Sequence, residues 1–193
     1  MGRLPLLVVV LTCLASVLQP GATHARTEGP YTGQVVEEET GTPLAGVVVV
    51  AYYEKKSPSW VHYETEFYDL DETLTDAQGR FSFAPHSLPI STPLSHVVGP
   101  IFIFFKGGYK SWSFKGVEYG EHVDPGIRNE RHEDAWRKFR NGEPAVIVKT
   151  RARTLNERTW EMGGARPFII PEGRAPLLQK ALDEEQLAVQ KLR

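Results

Sequence analysis

The run Val47-Val-Val-Val50-Ala-Tyr52-Tyr53 is the feature that most limits how this chain folds. Successive β-branched side chains crowd the preceding turn of a helix and lose rotamer freedom there, whereas a pleated strand accepts them. The stretch His96-Val97-Val-Gly99-Pro100-Ile101-Phe-Ile-Phe-Phe105 has the same character, with Gly99-Pro100 marking an edge, a strand entry or a bulge. Two such segments make strands the organising elements of the chain.

Further strands follow from the pattern on either side. Tyr31 to Glu37 mixes Tyr, Thr and Val, and Glu38-Glu-Thr40-Gly41-Thr-Pro43-Leu44 supplies turn residues before the next strand at Ala45 to Tyr53. Val61 to Asp69 alternates, which predicts Val61, Tyr63, Thr65 and Phe67 as the inner face and His62, Glu64, Glu66 and Tyr68 as the outer one. In Thr75-Asp76-Ala77-Gln78-Gly79-Arg80-Phe81-Ser82-Phe83, Asp76 opens a turn and Gly79 can take a positive φ, which predicts a tight hairpin with Phe81 and Phe83 facing the core. Lys106-Gly107-Gly108-Tyr109 ends the second apolar strand, and Pro144 to Thr150 is a last strand candidate. Short strands divided by turn signals indicate an antiparallel sandwich rather than alternating βα units.

These residues carry a resemblance. Gly33-Gln-Val35, Thr40-Gly41-Thr-Pro43-Leu44-Ala-Gly46-Val47-Val48-Val49 and Thr75 to Phe83 together resemble the carboxypeptidase regulatory-like family, over about residues 30 to 115 and completed by 144 to 150. The resemblance implies a transthyretin-like antiparallel β-sandwich of about seven strands. The carboxypeptidase relatives keep their zinc in a separate catalytic domain that this short chain lacks. What is implied is the accessory module without its enzyme, and no cofactor.

The first 25 residues are of another kind. A short positive start at Arg3, an apolar run from Leu4 to Leu18 and a break at Gln19-Pro20-Gly21 before Ala22-Thr-His-Ala25 are the parts of a secretory signal peptide, with cleavage expected near Ala25. The run is shorter than the roughly 20 residues of a spanning helix. Lipid anchoring through Cys13 is the competing reading; against it, Thr12 stands where a small residue is expected, and Leu14 to Leu18 would be left exposed. Removing residues 1 to 25 takes away Arg3 and Cys13, moving the formal charge from -2 to -3 and leaving no cysteine. Disulfides, a thiolate zinc site and a Cys nucleophile are thereby excluded from the exported chain. A mildly acidic balance, with Glu130, Glu133 and Asp134 interleaved among Arg128, Arg131, Arg137, Lys138 and Arg140, gives nucleic acid no basic surface.

Three domain-level parts result: the signal peptide 1–25, a sandwich 26–150 that includes a long charged connection 113–143, and a helical C-terminal extension 151–193. Within the connection, Ala135, Trp136 and Phe139 fall at helical spacing in Glu130 to Arg140, with Glu133 and Arg137 placed to pair. Thr154-Leu-Asn-Glu157 has the form of a capping box and predicts a helix ended by Gly163-Gly164. Pro176 suits a first helical turn, and Leu178, Ala181, Leu182, Ala188, Val189 and Leu192 form one stripe, which predicts an amphipathic helix over Ala175 to Leu192, docked on the sandwich or on a partner.

Candidate chemistry is sparse. Trp60, Tyr63, Tyr68, Trp112 and Tyr119 are the candidates for ligand contact, because aromatic faces stack on the apolar faces of sugar rings; the competing reading places them in the core. His62, His86, His96, His122 and His132 contain no His-x-His pair and no two-His helical zinc motif. His86, His96 and Tyr109 bear a superficial likeness to the two-Tyr, two-His iron site of intradiol dioxygenases, but the His-x-His ligand pair is missing. The Tyr-Arg-Gly-Ser ending of 5-hydroxyisourate hydrolases is also missing. Asp69-Leu-Asp71-Glu72-Thr-Leu-Thr-Asp76 reads as a solvated acidic turn or, less well, a calcium loop. The expected function is an exported, non-catalytic binding or structural module of the cell envelope or periplasm, with a glycan or an envelope protein as its partner. The alternative is a metal-dependent enzyme on the same kind of sandwich.

Overall fold

The computed structural model describes residues 25–60, 62–92, 94–115 and 130–192. The signal peptide expected at the start and Tyr119 and His122 in the connection lie outside them. Among the described residues the protein is mainly β, with nine strands and three helices. The strands are β1 (Arg26–Glu28), β2 (Tyr31–Glu37), β3 (Val48–Pro58), β4 (Tyr63–Leu74), β5 (Arg80–Phe83), β6 (His86–Leu88), β7 (His96–Phe105), β8 (Trp112–Lys115) and β9 (Ala145–Lys149). The helices are α1 (Glu130–Arg140), α2 (Leu155–Gly164) and α3 (Pro176–Gln190).

A three-stranded sheet ordered β5-β2-β9 faces a four-stranded sheet ordered β4-β3-β7-β8, and β1 pairs with β6 beside them. All pairings are antiparallel except β2 with β9, which run parallel with Glu37 beside Lys149. Phe81 and Phe83 are buried as expected. The predicted hairpin, however, joins strands of different sheets: β4 lies in the larger sheet, while β5 pairs with β2 in the smaller. Asp76 still makes the turn, its carboxylate accepting from the backbone of Gln78 and Arg80 at 2.9 and 2.8 Å. Gly79 has φ +70°, and a Cβ there would stand 2.5 Å from the Val35 carbonyl. Its turn lies flat against β2 for that reason.

The unbroken apolar run of β3 has a direct cause, since both of its faces are buried. Val49 and Ala51 face the smaller sheet among Val35, Phe81, Phe102, Phe104 and Ile147. Val48, Val50 and Tyr52 face outward with Ile101, Ile103 and Phe105, and Ala165, Ala175, Leu178 and Leu182 of the C-terminal extension cover them. α3 therefore docks in cis. Full burial of a Val or Leu side chain contributes about 1.5–3 kcal/mol, so each of these two layers matters to the fold. The N-terminus of α3 is capped from the sandwich: the Glu72 carboxylate accepts from the backbone N–H of Leu177 and Leu178 at 2.7 and 3.2 Å, while the preceding Ala175 offers no side-chain cap.

The charged connection is less of a loop than its composition indicates. Its described C-terminal part is α1, which buries Ala135 and Phe139 in the inter-sheet core, the Phe139 ring lying 4.9 Å from Phe102 and 5.5 Å from Tyr31. On this helix Asp134 pairs with Arg137 and, at 3.2 Å, with Lys138.

β3 and β4 run past the smaller sheet as an arm. The arm begins at an irregularity that crosses three strands. On one side Tyr53 pairs with Asp69 and Glu54 with Phe67, skipping Tyr68; on the other Tyr52 pairs with Ile101 and Glu54 with Val98. Gly99-Pro100 thus marks a bulge, one of the roles expected for it. Bulges bend a strand and re-aim what lies beyond them. The predicted inner face of this segment does not hold, because the smaller sheet does not reach it. Tyr63 and Thr65 are exposed, and Phe67 is half-buried beneath the Arg174 guanidinium, 5.2 Å from its ring.

Candidate functional site

The arm places two of the five candidate aromatics together at one end of the molecule. Ser59 donates to the His62 carbonyl at 2.8 Å and closes the tip, leaving Trp60 103% and Tyr63 59% exposed. Tyr63 meets His96 edge-on at 5.8 Å. The neighbouring loop between β6 and β7 is pinned by Thr92 and Ser95, where the Thr92 hydroxyl donates to the Ser95 carbonyl at 3.1 Å and accepts its N–H at 3.0 Å. It presents Ile90 and Leu94, 50% and 77% exposed. β1 lies beside this loop with Arg26 opposite Leu88, and the Arg26 guanidinium donates to the Val97 carbonyl. Four large apolar side chains on two adjacent tips therefore share one end with the start of the described chain.

The other candidates do not join them. Tyr68 is the residue skipped at the bulge, on the same strand but away from the tip. Trp112 is half-buried core, 5.2 Å from Phe114 and 4.7 Å from His132. Ile90 and Leu94 were missed by sequence reasoning, although two large aliphatics in the turn-rich Pro89-Ile90-Ser91-Thr92-Pro93-Leu94 are an unusual use of apolar residues.

His86, His96 and His132 serve packing or ion pairing. His86 stacks on Tyr53 at 4.6 Å, with Nδ1 3.2 Å from Asp71 and Nε2 3.7 Å from Asp69. Tyr109, matched above with His86 and His96, donates instead to Glu37 at 3.1 Å. His132 lies against Phe114, and burial holds its pKa below the ordinary value. Among the described residues no group of three or more His, Cys, Asp or Glu side chains is arranged to hold a metal ion. The acidic stretch is strand as far as Leu74 and turns only at Asp76, and it forms no calcium loop. Its carboxylates face partners: Asp69 meets Arg174 at 3.3 Å, Asp71 meets His86, and Glu72 caps α3.

A strong electrostatic perturbation sits at the far end of β3. Lys149 is 1% exposed, with its ammonium donating to the Phe104 carbonyl at 2.9 Å and to the Lys110 carbonyl. Burial pushes its pKa down to about 7, against a smaller upward pull from Glu161. Beside it in the sheet, the buried Glu37 carboxylate accepts from Arg151, Thr40 and Tyr109, and the Arg151 hydrogen bond leads in holding its pKa down. Glu38 with Arg131 at 2.7 Å and Glu39 with Arg153 at 3.1 Å extend the same seam. These pairs tie the turn after β2 to α1 and to the segment after β9. The Lys149 side chain is thus enclosed and held by backbone carbonyls.

A second buried acid fastens α3. Glu185, 5% exposed, takes a fork of two hydrogen bonds from Arg158 at 2.5 and 2.7 Å and the Gly108 N–H at 3.1 Å. A Cβ on Gly107 would fall 2.5 Å from the same carboxylate, so Lys106-Gly107-Gly108-Tyr109 is a close-approach site as well as a strand end. The signal for it was legible: Glu185 occupies the helical spacing of Leu178, Leu182 and Val189. Beyond it, the segment between α2 and α3 forms a cleft of about 490 Å³ edged by Arg166, Phe168, Ile170, Leu178 and Asp183.

No family model matches the chain, and neither a curated protein nor a solved structure matches it.

Proposed function

We propose that this chain is an exported, non-catalytic module of the cell envelope, of the carboxypeptidase regulatory-like type, and that its working surface is the end bearing Trp60 and Tyr63. One observation carries the reading. The two largest exposed aromatics of β3 and β4 stand on an arm that extends past the smaller sheet, while the outer face of the larger sheet is covered in cis. Aromatic platforms of this kind bind by stacking and area burial, with no need for a reacting group. Elsewhere the perturbed Glu37 and Lys149 are buried and partnered, as structural polar groups are. The test is capture of envelope proteins and a glycan screen with the chain from Arg26 onward, run beside Trp60→Ala. A partner held by the parent and released by the variant supports the reading. Turnover of a substrate that survives Trp60→Ala, with no partner in either screen, refutes it.

A further inference from the structure

We infer that the Trp60 end seats on the surface of a lipid bilayer, with Trp60, Tyr63, Ile90 and Leu94 dipping into the headgroup boundary. The inference rests on the proposed envelope function and names the partner of that surface. Two observations favour lipid over the other occupants.

The first is the kind of side chain exposed. Sugar rings stack on aromatic faces, and an aromatic pair alone would suit them. Leu94 and Ile90, exposed on the adjoining tip, give a sugar nothing to stack on, yet they suit acyl chains. Trp and Tyr favour the level of the headgroups, where an apolar ring and a polar edge are both satisfied. Aliphatics beside them reach further, as on proteins that lie in the interface without spanning it.

The second is where the chain enters. β1 starts at Arg26 opposite Leu88, so the chain approaches the fold beside Pro89 and Ile90. Upstream in sequence stands the apolar run Leu4 to Leu18. A leader engaged with a membrane therefore delivers the fold to the bilayer with this end foremost, and after cleavage the same end is the one left closest to lipid.

Charge plays little part. Around the tips Lys55 is 3.9 Å from Glu66 and Arg26 is 2.5 Å from Glu28, while Lys56 and Glu64 offset each other in sign, with His62 and His96 beside them. Association should therefore be driven by apolar area and appear on zwitterionic vesicles.

The experiment is sedimentation of the chain from Arg26 onward, which contains every described element, with phosphatidylcholine vesicles at millimolar lipid. Expected is measurable association, lowered roughly tenfold or more by Trp60→Ser and again by Leu94→Ser, as the loss of one inserted large side chain requires. In vesicles with brominated acyl chains, tryptophan quenching should vanish in Trp60→Phe while association persists, and should survive Trp160→Phe. Absence of association overturns the inference. So does quenching that survives Trp60→Phe and vanishes in Trp160→Phe, because contact then runs through the C-terminal extension, where Trp160 is also exposed. A dimer abolished by Leu94→Ser, without lipid association, overturns it in favour of a second copy. Capture of a glycan or protein that Trp60→Ser abolishes, again without lipid association, overturns the lipid inference and leaves the proposed function standing; failure of all three removes both.

Discussion

Lys149 makes the stability of this fold rise with pH, as paired carboxylates do, but in a window above neutrality rather than in acid. Its amine is enclosed at the end of the core, and burial lowers its pKa from 10.5 to about 7. In the unfolded chain the lysine keeps its ordinary affinity for a proton. Between pH 7 and 10.5 the unfolded state therefore binds more protons at this site than the folded one, and stability rises with pH through that window and levels off below it. Each unit of difference is worth about 1.4 kcal/mol, which gives a gain of about 2 kcal/mol between pH 7 and 9. The ceiling is set by Tyr31, Tyr52 and Tyr53, whose pKa values burial raises above 10, so that their ionisation in the unfolded chain erodes stability at higher pH. Lys149→Met keeps most of the volume and cannot titrate. Its absolute stability at pH 7 combines relief of a buried charge with the loss of donors to the Phe104 and Lys110 carbonyls, about 1–3 kcal/mol for each group left unpaired. The discriminating quantity is thus the difference in pH dependence. Urea unfolding at pH 7, 8 and 9 should show the parent midpoint climbing relative to the variant by about 1 M, taking an m-value of about 2 kcal/mol per molar. Parallel curves for the two proteins would refute the buried, proton-poor lysine.

Two further substitutions test how the extension is held. Arg158→Met strands the Glu185 carboxylate with a single backbone donor, and unfolding should show a loss of about 3–5 kcal/mol; adding Glu185→Leu should recover part of it, and a double variant no better than the single one argues against the ion pair. Thr154→Ala removes the oxygen that accepts from the Glu157 N–H at 3.1 Å, so about 1 kcal/mol should be lost. Because α2 has no fully buried residue, that loss should appear first as faster hydrogen exchange in residues 155 to 164 while β3 and β7 stay protected.

Strand positions were legible because side-chain chemistry is local. Val47 to Tyr53 and Ile101 to Phe105 announce themselves, and Glu130 to Arg140 and the Thr154 capping box were placed where they stand. Sheet membership was not legible. Asp76 and Gly79 specify a reversal of the chain, but a reversal within one sheet and a crossing between two need the same residues, and β5 chose β2. The parallel partnership of β2 and β9 is likewise invisible locally, since α1 must first carry the chain across the open side of the core. Acidic β4 was misread because its carboxylates find partners far away in sequence, Glu72 on α3 and Asp69 on Arg174. Of the candidate surface, Trp60 and Tyr63 were nameable from the sequence. Ile90 and Leu94 joined them only through the β3–β7 register that sets His96 beside Lys56.

The double burial of β3 also decides where a partner can sit. Along Val48 to Tyr52 one face of the larger sheet is closed by the smaller sheet and the other by α2, α3 and the segment joining them, so neither face is open there. What remains are the two ends of β3, about 33 Å apart at 3.3 Å per residue. At the first, Val48 pairs with Phe105 next to the Lys106–Tyr109 turn, where Glu37, Arg151 and Lys149 are already satisfied by one another and by backbone. A newcomer there would have to break charge-assisted hydrogen bonds before making any. At the second, Pro58 pairs with Tyr63, and the apolar tips beyond them are exposed. Removing those tips from water is favourable whatever covers them, and that asymmetry between the ends is why association is expected at the Trp60 end.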